Sequence, residues 1–245
     1  MTEQSLTVAA RFNGPPGSGN GGYVAGLLAA HVARLLPAYR LGDPVQVTLR
    51  EPPPLGIPLQ VAAADGRVEA TFGGALVANA EPGELEAPLV APVPFDVAAD
   101  AEQRYGGLGA HPFPGCFVCG TDRPDGDGMD LRPGRIGGAP GAEELVATTW
   151  VPETSLGDAD GQVGEPFVWA ALDCPGGWAS DLVARPMVLG RITVRVHARP
   201  YVGDPCVVMG RVLRTEARKT FTTTTAYDGD GRVLGQAEAT WIATR

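Results

Sequence analysis

The sequence predicts an α+β fold made of two copies of one unit, each a helix followed by a run of antiparallel strands. Two stretches open a helix in the same way. They are Asn20-Gly21-Gly22-Tyr23-Val24-Ala25-Gly26-Leu27-Leu28-Ala29 and Gly164-Glu165-Pro166-Phe167-Val168-Trp169-Ala170-Ala171-Leu172-Asp173. Turns recur downstream of each: Gly56-Ile57-Pro58 matches Gly203-Asp204-Pro205, and the run from Gly74 to Glu81 matches the run from Gly231 to Glu238. Helix, strand and turn repeated in one order are the signature of a duplicated unit.

The elements follow from local chemistry. Residues 5–12 carry a weak strand pattern, broken by the Gly/Pro/Ser/Asn-rich residues 13–20. An apolar helix is expected from about Gly21 to Leu36, stopped by Pro37. Residues 45–50 alternate as a strand, and Pro52-Pro53-Pro54 forbid its extension. Strands at 59–64 and 68–72 flank Asp65-Gly66, a hairpin dipeptide, and 75–80 follows as a further strand. Residues 81–125, rich in Pro, Gly and Asp, read as a connector and not a core. The pattern then restarts, with strands near 128–132 and 144–151 and a helix from about Glu165. Strands at 188–199, 205–214, 219–227 and 232–243 complete it. The expected division is 1–95 for the first unit, 96–125 for a connector holding a Cys-x-x-Cys element, and 126–245 for the second unit.

Composition narrows the function classes. With 44% hydrophobic and 19% charged residues among 245, the chain reads as globular. Nineteen Lys+Arg against 28 Asp+Glu leave a formal charge of −9, which argues against general binding to nucleic acid. The N-terminal residues have neither the basic region nor the apolar core of a signal peptide. The most apolar stretch, Tyr23 to Leu36, is too short to span a bilayer. Four cysteines without a secretory signal point to a reducing compartment, so the expectation is a cytoplasmic protein with no membrane partner.

Several motifs carry chemistry. Gly21 and Gly22 allow close backbone approach at a helix start, where free amides and the helix dipole favour negative charge. Asn20 suits an N-cap or a donor role. Gly17-Ser18-Gly19-Asn20-Gly21-Gly22 is formally G-x-G-x-x-G, but the strand that follows runs into three prolines, against a dinucleotide fold. No G-x-S-x-G elbow occurs. Cys116 and Cys119, with His111 nearby, offer three ligands, yet no second pair lies at finger spacing and no metal is expected. Arg191, Thr193, Arg195, His197 and Arg199 fall on one strand face, either solvated or arranged to meet phosphates. An Asp before Cys174-Pro175 could also simply end its helix.

The segment Val168-Trp169-Ala170-Ala171-Leu172-Asp173-Cys174-Pro175-Gly176-Gly177-Trp178-Ala179 resembles the central helix of the hotdog-fold thioesterases, especially the phenylacetate-pathway type. Asn20-Gly21-Gly22-Tyr23 is similar to the His-Gly-Gly that opens that helix in the family. Cys116-Phe117-Val118-Cys119-Gly120, followed by Gly128-Met129-Asp130-Leu131, resembles an entry motif of many superfamily members. The chain departs from the family in having Asn at position 20 and Gly164-Glu165-Pro166 in the second copy. The acid occurs only in the second copy, where Asp173 stands at the depth of Ala29.

The resemblance implies a tandem double hotdog with one composite site hydrolysing an acyl-CoA or acyl-carrier thioester. Asp173 is then the nucleophile or general base, with Gly21, Gly22 and Asn20 holding the carbonyl oxygen. Tyr23, Trp169, Arg191, Thr193 and Arg195 are the expected substrate contacts. No cofactor is implied beyond the coenzyme A of the substrate, and dimers or trimers of double hotdogs are expected. Two other readings stay open: a hotdog hydratase or dehydratase using His111, and a non-catalytic acyl-CoA-binding protein.

Overall fold

Both helix starts fold where the sequence places them. The structure is a computed structural model and describes residues 4–137 and 145–244. In chain order the elements are β1 (Gln4–Leu6), α1 (Gly21–Ala29), α2 (Val32–Leu35), β2 (Val45–Leu49), β3 (Leu59–Ala64), β4 (Arg67–Phe72) and β5 (Ala75–Pro82). Then come α3 (Phe95–Glu102), β6 (Gly134–Arg135), β7 (Leu145–Trp150), α4 (Glu165–Trp178), β8 (Met187–Val196), β9 (Cys206–Glu216), β10 (Lys219–Tyr227) and β11 (Val233–Ala243).

Among the described residues eleven strands form one sheet, in the order β1-β3-β4-β5-β2-β8-β11-β10-β9-β7-β6, every neighbouring pair antiparallel. Read outward from the centre, each side runs first, fourth, third, second strand after its helix, then a strand from before the helix. The two sides therefore share one topology. They meet where β2 pairs with β8, Val45 opposite Val194 and Thr48 opposite Arg191.

The turn chemistry repeats as well. Gly56 and Gly203 both have positive φ, as do Gly74 and Gly231, so each matched turn uses the backbone region open to glycine. Asp65-Gly66 also has positive φ at both positions, as its two-residue hairpin requires.

Helices α1 and α4 pack against each other on one face of the sheet, over Ile192, Val194, Ala237 and Ala239 in a single apolar core. Small residues set their approach. A Cβ on Gly22 would lie 2.5 Å from Asp173 Cβ and 2.7 Å from the Trp169 carbonyl oxygen, and one on Gly26 would lie 2.7 Å from Pro166 Cα. Ridges at a four-residue spacing on α1 thus meet the backbone of α4 directly.

Several expectations need correction. The first strand stops at Leu6, and residues 10–12 form a 3-10 turn instead. The helix expected to reach Leu36 breaks after Ala29, where Ala30 and His31 form a turn before α2. Residues 128–132 do not join the sheet; Met129 and Leu131 donate their N–H groups to the carbonyls of Phe117 and Val118. Helix α4 continues through Pro175 to Trp178, so Asp173 does not end it. The Thr224 hydroxyl donates to the Leu172 carbonyl beside that proline at 2.7 Å.

The segment read as a connector is part of the core. Residues 83–103 cross the sheet face opposite the helices, where Val90, Ala98 and Ala101 bury against Ala147, Val207, Met209 and Tyr227. Phe117 and Val118 lie fully buried on the helix side. Proline and glycine forbid regular structure there without forbidding burial. The crossing is held by Tyr227, whose hydroxyl donates to the Val90 carbonyl at 2.6 Å, and by the Val90 N–H, which donates to Thr225 Oγ1. Tyr227→Phe is expected to cost about 1–2 kcal/mol, because it leaves a buried carbonyl unpaired; a shift in the urea unfolding midpoint measures it.

Candidate active site

Helix α1 begins at Gly21 with Asn20 as its N-cap, the Asn20 Oδ1 accepting from the Tyr23 N–H at 2.9 Å. The other end of the same side chain turns to helix α4. Asn20 Nδ2 donates to Asp173 Oδ2 at 3.2 Å, and the Gly22 N–H donates to that oxygen at 2.9 Å. Asp173 lies in the middle of α4, 2% exposed, and its Oδ1 is buried without a partner. The structure thus joins the glycines of one helix start to the acid of the other.

Burial pushes the Asp173 carboxyl from the ordinary 3.8 up to about 7; the hydrogen bonds from Gly22 and Asn20 act in the other direction. A carboxylate at the N-terminus of α1 gains from the helix dipole, but desolvation outweighs that gain here.

Asn20, Gly21 and Asp173 line one cavity of about 310 Å3, near the lower bound for small-molecule sites. Its walls are mostly apolar, among them Leu49, Phe113, Leu189 and Trp241. Among the described residues the Gly21 N–H has no hydrogen-bond partner, whereas the Gly22 N–H is taken by Asp173. Of the two amides expected to face a ligand, the Gly22 N–H is therefore engaged within the protein. Asn20→Ala removes both the cap and a bond to Asp173, and is expected to cost about 1–2 kcal/mol in thermal or urea unfolding.

The Cys116–Gly120 turn closes one side of the cavity. The Gly120 N–H donates to the Cys116 carbonyl at 2.8 Å, and a Cβ on Gly120 would lie 2.4 Å from that oxygen. Cys116 Sγ stands 3.9 Å from Cys174 Sγ, and the Trp178 indole N–H points at Cys119 Sγ at 3.3 Å. Contacts from Cys119 and Cys174, with the backbone N–H groups of Val118 and Cys119, hold the Cys116 thiol well below its usual range. The Cys119 and Cys174 thiols are pushed up by their sulfur neighbours and by burial.

His111 also lines the cavity, but its ring is engaged. Nδ1 accepts from the Phe113 N–H at 2.9 Å, which leaves the proton on Nε2, facing the Cys119 carbonyl at 3.0 Å. Burial lowers its pKa.

The expected substrate contacts do not gather at this cavity. Tyr23 stacks on Phe12 with ring centroids 4.2 Å apart, in a cluster with Phe117 and Phe167. Trp169 is fully buried against Gly26 at the helix contact. Arg191, Thr193 and Arg195 lie on the sheet face away from the helices, because Ile192 and Val194 occupy the helix-facing positions of β8. Arg191 Nε donates to Thr48 Oγ1 at 3.1 Å there. Conversely, the sequence reading missed Cys174, Trp178, Leu189 and Trp241 as wall residues. Only Cys174 and Trp178 carried a signal, through their place on the helix of Asp173.

Neither a family model nor a curated protein matches the sequence. Solved structures do match in shape. A candidate thioesterase from Novosphingobium aromaticivorans superposes with a TM-score of 0.65 at 15% identity, covering 99% of this chain and 96% of that one. The tesB protein of Mycobacterium avium subs. paratuberculosis gives 0.62 at 13% identity, covering 99% and 93%. A protein of unknown function with a hot dog fold from Alicyclobacillus acidocaldarius gives 0.56 at 12% identity, again covering 99% and 93%. Over nearly all of its length, the chain has the hotdog fold.

Proposed function

We propose that the chain is a double hotdog that hydrolyses an acyl thioester, with coenzyme A or a carrier as the thiol, at one composite site between its two units. The observation that carries this reading is Asp173: a buried carboxyl facing an apolar cavity, one oxygen pinned by the opposite helix start and the other unpaired. Burying a carboxyl with one oxygen unpaired costs stability, and carboxyls so perturbed cluster at functional sites.

In this reading the ionised Asp173 removes a proton from water as it adds to the thioester carbonyl, or attacks that carbon itself. The Gly21 N–H, at the positive end of α1, stabilises the oxyanion that develops. Collapse then expels the thiolate, which takes up the proton held by Asp173 on the first route. On the second, water cleaves the anhydride formed on Asp173 and releases the acid, and on both the apolar walls hold the acyl group. A candidate thioesterase among the structures that share the fold agrees with this reaction class. The lyase reading is favoured less, since both nitrogens of His111 have backbone partners.

Hydrolysis of a panel of acyl-CoAs by the purified protein tests the proposal, with Asp173→Asn as control. Acyl-CoA bound and recovered intact would favour a binding protein instead.

A further inference from the structure

Three buried cysteines from two distant parts of the chain converge beside the acid. Cys116 and Cys119 come from the turn before β6, and Cys174 from α4. Their Sγ atoms all lie within 4.8 Å of one another, with Cys116 and Cys174 at 3.9 Å. Sulfurs bound at about 2.3 Å to one tetrahedral metal stand roughly 3.8 Å apart, so only a small closure separates this triangle from a ligand set. The sequence offered Cys116 and Cys119 without a third thiol; the fold supplies it.

N–H donors face the three sulfurs. The Trp178 indole N–H faces Cys119 Sγ at 3.3 Å, and Asn20 Nδ2 lies 3.8 Å from both Cys116 Sγ and Cys174 Sγ. The Val118 and Cys119 backbone N–H groups favour the ionised form of Cys116. Such N–H donors are what a metal-bound thiolate needs around it. All three cysteines also line the cavity, so a fourth ligand can enter from it.

We propose that Cys116, Cys119 and Cys174 bind one thiophilic divalent cation of the zinc type, tying the Cys-x-x-Cys turn to helix α4. Each thiol passes its proton to solvent as the ion binds. Three thiolates and a divalent ion leave one net negative charge, which the surrounding N–H donors offset. His111 is not a ligand, because its Nε2 proton serves the Cys119 carbonyl. The role is independent of thioester hydrolysis, and its test reads metal alone.

The full-length protein is reduced, freed of metal and titrated with Co2+ and with Zn2+. The expected result is one ion per chain, with a thiolate-to-cobalt charge-transfer band that Zn2+ abolishes. Cys174→Ser and Cys116→Ser weaken binding by at least about tenfold. Cys206→Ser, at a buried cysteine outside the cluster, binds as the wild type does. Circular dichroism confirms that the variants fold, and the wild-type titration stands without them. The proposal is overturned if the reduced wild type shows no such band, or if folded Cys174→Ser binds as tightly as wild type. It is equally overturned if only two of the four thiols titrate after unfolding in the absence of reductant, since the cluster then holds a disulfide.

Discussion

Asp173→Asn is expected to lower the rate of acyl-CoA hydrolysis by about 10^2- to 10^4-fold, the range spanned by a single acid–base group. The substitution keeps the shape of the side chain, and its carbonyl oxygen can still accept from the Gly22 N–H and Asn20. What disappears is the ionisable oxygen. Wild-type activity should climb with pH through about 7, where the buried carboxyl ionises, and the variant should lack that limb.

The same group leaves a mark on stability. Its folded pKa, about 7, lies above the ordinary 3.8, so the folded chain holds a proton that the unfolded chain has lost between those values. The stability linked to this proton is fully present below about pH 4 and falls as pH rises to about 7. The drop is on the order of 4 kcal/mol at most. Asp173→Asn should flatten that slope, so its urea midpoint relative to wild type should be higher at pH 8 than at pH 5. An unchanged rate in the variant would remove Asp173 from the chemistry.

Gly22→Ala is expected to damage the contact between the two central helices severely. The added carbon has no room, with Asp173 Cβ at 2.5 Å and the Trp169 carbonyl oxygen at 2.7 Å, and both belong to the rigid backbone region of α4. The helices must separate, at a cost of about 3 kcal/mol or more. For a chain of this size that corresponds to a fall in Tm of roughly 6–12 °C. Activity should fall too, because the Gly22 N–H no longer aligns Asp173. Gly109→Ala is the matched control: the nearest atom to its Cβ would be 3.8 Å away and its φ is negative, so Tm should barely move. Equal Tm values for the two variants would refute the close helix contact.

Much of this was legible in the sequence because it is local. Turn glycines announce a positive φ wherever they fall, so the matched turns at Gly56/Gly203 and Gly74/Gly231 are readable from the sequence. The meeting of Asn20 and Gly22 with Asp173 was also within reach, since each copy kept the half the other lacked. The features that escaped depend on long-range contact. Nothing near residue 116 says that Cys174 will lie 3.9 Å away, and no period marks residues 83–103 as a strap across a sheet. The proline rule failed at Pro175 for the same reason. Packing on every side of α4 holds the helix past a residue that would stop it in isolation. Of the expected polar row, Arg191, Thr193 and Arg195 share one face of β8, whereas the strand ends at Val196 and leaves His197 and Arg199 beyond it. A period of two cannot mark that end, nor say which face turns to the helices.

The central pairing of β2 with β8 also decides how the molecule presents itself to its neighbours. By joining the strands around α1 and those around α4 into one sheet, it puts two short strands at the ends of the described sheet: β1, of three residues, and β6, of two. Strand borders that short offer little template for another chain's backbone, which is how many β proteins escape runaway aggregation. Backbone pairing with a further chain is therefore limited at the described ends of the sheet, and the broad faces of the sheet carry most of what a neighbour meets.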